Sequence, residues 1–194
     1  MLNLVADKKK RRIVARVGSK PVVIPAGVDV SLELGNRMLV KGPKGVLTNI
    51  FHPEIVIQIE ESSIVFKRSS DHPKTLALHG LTRALVNNMI VGVTEGYAKA
   101  LDLVGMGYRV QQSGLGVVLQ VGFSHPVEVE PPNGINVSVE SPTHILVTGC
   151  DKQQVGQFSA TLRKIRPPDA YKGKGIRYTG EIVRVKPGKT AGRT

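Results

Sequence analysis

The residues best suited to chemistry lie between Pro167 and Lys186, where the sequence reads PPDAYKGKGIRYTGEIVRVK. Its glycines allow the backbone to approach a polyanion closely, its cations suit phosphates, and its tyrosine rings can stack on bases or riboses. This composition favours nucleic-acid binding over the alternative of a solvated, disordered tail. Lysine, arginine and glycine rarely build a packed core, so we expect the segment to contribute little to the fold. The candidate RNA-binding residues within it are Tyr171, Lys172, Lys174, Arg177, Tyr178 and Lys186.

No residues in the sequence have the types and spacing of a catalytic or metal site. Gly105-Met106-Gly107 begins like a dinucleotide-binding fingerprint, but Val110 occupies the third glycine position. Gly188-Lys189-Thr190 ends like a phosphate-binding loop, but Val183 stands where the first glycine is required. The sequence therefore predicts no enzyme, no metal, no cofactor and no small-molecule substrate. Five scattered histidines lack Cys or carboxylate partners at ligand or triad spacing, and a surface or loop position is favoured for each of them: His52, His72, His79, His125 and His144.

Positive charge is concentrated at the two ends of the chain. Of a net charge of +12, residues 1–20 hold seven Lys/Arg against one acid, and residues 163–194 hold ten against two. The middle keeps ten basic and twelve acidic residues, so the body is nearly neutral. This arrangement is typical of a protein that inserts its ends into nucleic acid. Membrane-surface binding is the rival explanation, but it requires an amphipathic basic helix, and the glycine-rich terminal segment is a poor helix former.

Cysteine content and hydropathy predict an intracellular protein that does not enter a membrane. The single cysteine, Cys150, cannot form an internal disulfide. We see no apolar run approaching the roughly 20 residues of a spanning helix, so no membrane partner is expected. The beginning, MLNLVADKKKRRIVAR, lacks a secretory apolar region after its charges, while the trimmed end of an organellar precursor stays an alternative.

Hydrophobic periodicity predicts strands followed by one helix, twice. Few aromatic residues and no Trp leave Val, Ile and Leu to build the core, which favours strands. In the first half, alternating runs predict strands at 28–34, 38–41, 46–51, 55–60 and 64–68. A helix with Asp71 as N-cap follows, and its apolar face is predicted to comprise Leu78, Leu81, Leu85 and Met89.

The second half repeats this order. Strands are predicted at 100–104, 108–112, 117–121, 127–129, 135–140 and 145–148. Asp151 then caps a helix whose apolar face is Val155, Phe158, Leu162 and Ile165. Residues 182–185 are candidates for a final strand. His79-Gly80 inside the first helix costs about 1 kcal/mol of helix propensity relative to Ala, so we expect a close helix-to-sheet contact there.

The repetition predicts an α+β fold of two duplicated domains, each an antiparallel or mixed sheet packed against one main helix. We divide the chain into a basic N-terminal arm (1–20), a first domain (21–95), a second domain (96–180) and a basic C-terminal tail (181–194). The buried helix residues are expected to include Leu81, Leu85, Phe158 and Leu162.

Several phrases spread over the chain, taken together, resemble one protein family. The chain is similar to the large-ribosomal-subunit protein six family, in that family's order and spacing, from Arg16 to Lys189. The phrases are RVGSKPVVIPAGV (16–28), VKGPKG (40–45), HGLTRALVNNMIVGVTEGY (79–97), LVGMGYR (103–109), GFSHPV (122–127), GCDKQQVGQFSATLRKIRPPDAYKGKGIRY (149–178) and EIVRVKPGK (181–189).

The resemblance implies a duplicated two-domain protein without catalysis of its own. It implies binding to large-subunit ribosomal RNA near the base of the acidic stalk and the factor-binding centre, beside neighbouring large-subunit proteins. GFSHP and RPPDAYKGKG are closer to the bacterial and plastid branch, so the ribosome of a plastid stroma or of a bacterial cytoplasm is the expected location. Fifteen residues precede the family's usual start and leave that choice open. In this family the RNA-facing surface lies mainly in the second domain and tail, which points to Arg163, Lys164, Arg166, Tyr171, Lys172, Lys174, Arg177 and Tyr178.

Three classes of function compete for this sequence. The first is a structural RNA-binding protein of the large ribosomal subunit. The second is an enzyme acting on RNA or nucleotides, against which the missing catalytic constellations weigh. The third is a protein-interaction module whose basic ends bind acidic partners. A steep salt dependence of binding distinguishes nucleic acid from an acidic protein, because counterion release accompanies binding to RNA.

Overall fold

The computed structural model describes residues 18–188. Predictions made for the basic arm from Lys8 to Arg16, and for the chain from Lys189 onward, lie outside these described residues. Within them, the chain forms two units of similar construction, each with its own cluster of buried apolar side chains.

The first unit contains two three-stranded sheets and a long helix. One sheet has the strand order β1-β6-β5 and the other has the order β2-β3-β4, with all neighbours antiparallel. The elements are β1 (Val22–Val23), β2 (Asp29–Glu33), β3 (Arg37–Gly42), β4 (Gly45–Ile50), β5 (Ile55–Ile59), β6 (Ser63–Arg68) and α1 (Pro73–Thr94).

The second unit repeats the plan and adds one strand at the end. Its sheets have the orders β10-β9-β8 and β11-β12-β7-β13, and again every pair is antiparallel. The elements are β7 (Tyr97–Val104), β8 (Arg109–Ser113), β9 (Gly116–Gln120), β10 (Val127–Val129), β11 (Ile135–Ser141), β12 (His144–Gly149), α2 (Lys152–Ile165) and β13 (Gly175–Tyr178).

The duplication is visible in the strand order. The arrangement β5-β6-β1 of the first unit recurs as β11-β12-β7 in the second, and each unit has a separate three-stranded meander followed by one main helix. The predicted α+β fold of duplicated domains is confirmed. Within residues 18–188 the first unit has no counterpart of strand β13, which pairs with β7 on the side opposite β12.

The buried face of α1 differs from the predicted one. Leu81 is 52% exposed and Leu85 is only partly buried, so the prediction for these two side chains was wrong. Met89 is buried as predicted, and the buried face otherwise differs from the expected leucines, since it comprises Thr75, His79, Thr82, Val86, Met89, Ile90, Gly92 and Val93. His79 is buried there, and its Nε2 lies 3.0 Å from the carbonyl oxygen of Phe66, while its buried Nδ1 has no hydrogen-bond partner among the described residues. The surface or loop position expected for His79 was therefore also wrong.

The N-cap of α1 and the packing of its glycines also differ from the predictions. The N-cap is His72, whose side chain accepts a hydrogen bond from the Lys74 amide, while Asp71 pairs with Arg68 at 2.7 Å. A side chain added at Gly80 would meet nothing within 4 Å, so the helix-to-sheet contact expected at His79-Gly80 is made by His79, which reaches Phe66 of β6, and not by Gly80. The closely packed glycine of α1 is Gly92, at the other end of the helix.

Helix α1 is more apolar than expected from the sequence. It has 22 residues, and an 18-residue stretch within it has a mean hydropathy of 1.2, which meets the length and composition of a membrane span. Its buried face packs against the sheets of the first unit, and Val86 and Val93 are fully buried there. In this structure α1 is thus the core helix of a folded unit.

Helix α2 follows the prediction closely. The carboxylate of Asp151 accepts a hydrogen bond from the Gln153 amide and caps the helix. Val155, Phe158 and Leu162 are buried, and Leu162 is fully so. The last turn carries two cations, which interact favourably with the helix dipole: Arg163 and Lys164.

The two units meet at a junction built on backbone contacts. The Cα of Gly92 in α1 lies so close to Cys150 that a Cβ on Gly92 would be 2.0 Å from the Cys150 carbonyl oxygen. The Cys150 thiol donates to the carbonyl oxygen of Lys44 at 2.9 Å, and the Lys44 ammonium donates to the Glu95 carbonyl. These contacts connect the turn between β3 and β4, the end of α1 and the start of α2.

Candidate nucleic-acid interface

Strand β13 makes the centre of the candidate segment part of the fold. Gly175–Tyr178 pair with β7 from Val104 to Leu101, and Ile176 is fully buried in the second core. The expectation that this segment contributes little to the fold was wrong, because the free edge of β7 provides a pairing partner that the segment's own composition does not reveal. The final strand considered at 182–185 does not form, and Ile182 is 93% exposed.

The loop before β13 is closed by its own hydrogen bonds. The Asp169 carboxylate accepts from the amides of Tyr171 at 3.2 Å and Lys172 at 2.9 Å. The Asp169 amide donates to the Lys174 carbonyl at 2.9 Å, and the Gly173 amide donates to the Asp169 carbonyl at 3.0 Å. These amides, first of all that of Lys172, hold the pKa of Asp169 below its usual value. We call Asp169–Lys174 the basic loop.

Two glycines permit the path of this loop. Gly173 has φ +67° and Gly175 has φ +149°, both in the region that side chains rarely adopt. A Cβ on Gly175 would also lie 2.6 Å from the Pro167 carbonyl oxygen. At Gly175 the close backbone approach is therefore to the protein's own chain.

The basic loop presents its cations and its tyrosine to solvent. Tyr171 is 59% exposed, Lys172 is exposed and Lys174 is half-buried. The tail returns to the loop, since the Lys186 amide donates to the Ala170 carbonyl at 2.7 Å while the Lys186 side chain stays exposed. The structure thus brings four of the predicted residues together on one surface.

Tyr178 and Arg163 form a more enclosed cluster beside the strand. Arg163 makes a two-pronged ion pair with Glu181, with Nη2 to Oε1 at 2.6 Å and Nε to Oε2 at 3.1 Å. This hydrogen bonding raises the pKa of Arg163 and lowers that of Glu181. The Tyr178 ring lies between cations, 4.6 Å from Lys99 Nζ and 5.5 Å from the guanidinium carbon of Arg163. Their partners leave Arg163 and Tyr178 less free than the loop residues to meet a phosphate or a base.

The remaining predicted residues lie on either side of this cluster. Lys164 and Arg166 are exposed at the end of α2. Arg177 lies on β13 opposite Asp102 and is half-buried, and its Nε is buried without a hydrogen-bond partner in the described part of the chain. Their contact with RNA stays a prediction, as it does for the whole predicted set.

Sequence reasoning missed several side chains at this surface. Lys99 is distant along the chain from Tyr178, and only the pairing of β7 with β13 brings them together. Phe123 and His125 lie in the loop between β9 and β10, and Arg166 reaches the Phe123 ring. An aromatic residue among turn residues in GFSHP was the available signal. Asp169, two residues before Tyr171, has the position of an Asx-turn residue and was a further signal.

A histidine–carboxylate cluster spans the neighbouring strands β11, β12 and β7, contrary to the expectation of unpartnered histidines. His144 Nδ1 is 2.7 Å from Asp102 Oδ1 and His144 Nε2 is 3.4 Å from Glu140 Oε2. The Thr179 hydroxyl donates to the same Asp102 oxygen at 2.9 Å and does not contact the imidazole, so no nucleophile is paired with a base here. Across residues 18–188, no group of three or more His, Cys, Asp or Glu side chains is placed to hold a metal ion.

Comparison with known proteins gives one consistent family. The Ribosomal protein L6 family matches residues 24–96 and 104–179, one stretch in each structural unit. The chain is 54% identical to "Large ribosomal subunit protein uL6" of Carboxydothermus hydrogenoformans over 179 residues, 92% of this chain and 98% of that protein. It is 54% identical to the protein of the same name from Caldicellulosiruptor bescii over 175 residues, 90% of this chain and 96% of that one. The uL6 of Bacillus cereus strain ZK is 52% identical over 177 residues, 91% of this chain and 99% of the relative.

Proposed function

The chain belongs to the Ribosomal protein L6 family and is a structural constituent of the large ribosomal subunit rather than an enzyme; from this premise we propose that it binds large-subunit ribosomal RNA through the second unit. The binding surface comprises the end of α2, the basic loop and the exposed part of the tail. We further propose that it lies near the stalk base and the factor-binding centre, beside other large-subunit proteins, as the family resemblance implies.

The observation that carries this proposal is the conformation of the basic loop. Lys172 is exposed between Tyr171 and Lys174, and the hydrogen bonds of Asp169 within the protein order the backbone of all three. A loop that is already ordered loses less conformational entropy when it binds. Two cations beside an exposed aromatic ring suit a phosphate backbone with an accessible base or ribose.

The distribution of charge supports the same surface. Residues 163–194 hold ten Lys/Arg against two acids, and in the structure both acids have internal roles. Asp169 orders the basic loop, and Glu181 pairs with Arg163. The exposed cations at the end of α2 and in the loop are therefore free to attract a polyanion. The division of the chain into arm, two domains and tail belongs to the same proposal.

A salt-titrated binding assay with isolated large-subunit ribosomal RNA tests the proposal. In the test variant Lys172 and Lys174 are both replaced by Gln. If both cations meet phosphates, the slope of log K against log salt concentration should fall in magnitude by about 1.4 to 1.8, at roughly 0.7 to 0.9 per contact. The melting temperature should change little, because Lys172 is exposed, Lys174 is half-buried, and substitutions at exposed positions usually stay within about 0.5 kcal/mol.

The matched control replaces two exposed lysines of the first unit, Lys67 and Lys74, by Gln. It removes the same charge at a distance from the proposed surface and should leave the slope unchanged. Equal slopes for test and control variants would refute the assignment of the surface. Binding that is insensitive to salt and equally tight to an acidic protein would favour an interaction module instead.

A further inference from the structure

Phe123 differs from every other phenylalanine of the chain in its exposure. The sequence contains four, and Phe51, Phe66 and Phe158 are 5%, 5% and 6% exposed, whereas Phe123 is 42% exposed. Full burial of a Phe side chain is favourable, so its exposure here forgoes stabilisation that the other three provide. The fold does not explain this exposure.

Phe123 is stacked with two other side chains. Its ring stacks with that of His125, with centroids 6.3 Å apart and planes inclined by 20°. The guanidinium carbon of Arg166 lies 5.4 Å from the Phe123 centroid. His125 and Arg166 are exposed as well. We call Phe123, His125 and Arg166 the aromatic platform.

Separate elements hold the platform in place. The Tyr108 ring packs against two glycines, and a Cβ on Gly105 or on Gly122 would lie 3.0 Å or 3.3 Å from ring atoms of Tyr108. This packing fixes the start of the loop that carries Phe123. Arg166 comes from the end of α2, where its carbonyl accepts the Ile176 amide at 2.7 Å. Contacts within the protein therefore hold the platform.

We propose that the aromatic platform stacks one unpaired nucleobase of the ribosomal RNA, an inference that rests on the proposed function and adds a base-binding site to it. Unstacked bases in loops and bulges are bound on Phe and His rings and on Arg guanidinium planes. The exposed neighbours of the platform on α2 are cations, Lys164 and Arg166 itself, which suits a nucleotide more than the apolar centre of a protein interface. In this proposal the exposed rings of the platform bind the face of one base, and the basic loop binds the phosphate backbone.

The two kinds of contact respond differently to salt, and this difference is the test. Binding of the full chain to large-subunit ribosomal RNA is titrated with salt at pH 8, where histidine charge contributes little. Phe123→Leu keeps an apolar side chain of similar size and removes no charge. It should weaken binding about 5- to 150-fold at every salt concentration with an unchanged slope, the effect of losing one stacked base.

Two further variants complete the experiment. His125→Ala should weaken binding in the same salt-independent way, and it decides the question if a thermal melt shows that Phe123→Leu has unfolded the second unit. Leu115→Ala is the matched control, because Leu115 is an 84% exposed apolar residue in the β8–β9 turn of the same unit, and it should bind as the unaltered chain does.

The outcomes separate this inference from the proposed function. An unaltered chain that lacks a steep salt slope would refute RNA binding itself. If the unaltered chain shows a steep salt slope, and Phe123→Leu and His125→Ala bind the RNA with the same affinity as that chain, only the base-binding role of the platform is overturned. Phe123→Leu could instead bind isolated RNA with full affinity but fail to incorporate into reconstituted large subunits. That result would identify the ring as a contact with another protein and would also overturn the inference.

Discussion

Two glycines of helix α1 should respond in opposite directions to the same substitution. Both have helical backbone conformations, so alanine restores helix propensity of about 1 kcal/mol at either position. A side chain at Gly80 would meet nothing within 4 Å. Gly80→Ala should therefore stabilise the protein by up to about 1 kcal/mol.

Gly92→Ala places a methyl group in the junction between the units. Its Cβ would be 2.0 Å from the Cys150 carbonyl oxygen, where real contacts are at least 3.0 Å, so backbone must move by about 1 Å. Overpacking of this kind costs about 1 to 3 kcal/mol. For a chain of this size, that lowers the melting temperature by roughly 2 to 12 °C, whereas Gly80→Ala raises it by about 2 to 4 °C.

Differential scanning calorimetry measures both variants and also shows whether the units melt together. A junction loosened in Gly92→Ala should separate the transitions of the two units if the Cys150 and Lys44 contacts couple them. Two variants shifted in the same direction by similar amounts would refute the close contact at Gly92.

Two further predictions concern the surroundings of β13. Ile176→Ala and Leu162→Ala should each destabilise the protein by about 2 to 5 kcal/mol in urea unfolding, because both side chains are fully buried. An unchanged urea midpoint for Ile176→Ala would show that the segment around β13 does not contribute to the fold. The hydrogen bond to Arg163 lowers the pKa of Glu181, so this pair stabilises the fold above the ordinary pKa of Glu, and that stabilisation is lost as the pH falls through the lowered value. Glu181→Gln should cost up to about 1 kcal/mol at pH 7 and have less effect at pH 3, and an equal cost at both values would contradict the role of the charge.

Local patterns in the sequence predicted most of the fold. Strand β10 was predicted with its observed bounds, and Asp151 was predicted as the cap of α2. These features depend on neighbouring residues alone: alternation of side chains in a strand and a carboxylate before a helix. The duplication was predictable for the same reason, because both units repeat the same local order.

Features that depend on distant contacts were not predictable in this way. Strand β13 exists because β7 has a free edge, and its short sequence between glycines and lysines gives little sign of it. The face of α1 was predicted to comprise three leucines and Met89, and the structure buries Met89 but also His79, whose Nε2 lies near the Phe66 carbonyl oxygen. Polar residues on a buried face are invisible to a pattern that counts apolar side chains.

In the candidate site, too, some features were predictable from local sequence and others depend on distant contacts. Exposure of Lys172 followed from its charge and from the glycines beside it. The ordering of its loop by Asp169 depends on hydrogen bonds whose geometry only the structure gives. The platform joins Phe123 to Arg166 across much of the second unit, a pairing that sequence spacing does not indicate.

Cross-linking within reconstituted large subunits tests the central claim most directly, because it locates the RNA-facing surface without altering the chain. Subunits containing the full chain are cross-linked with ultraviolet light, digested, and analysed by mass spectrometry for peptides that carry nucleotides. We predict that these peptides come from the second unit, above all from the basic loop with Tyr171 and Lys172. Nucleotide adducts confined to the first unit, for example to strands β3 and β6, would contradict the account.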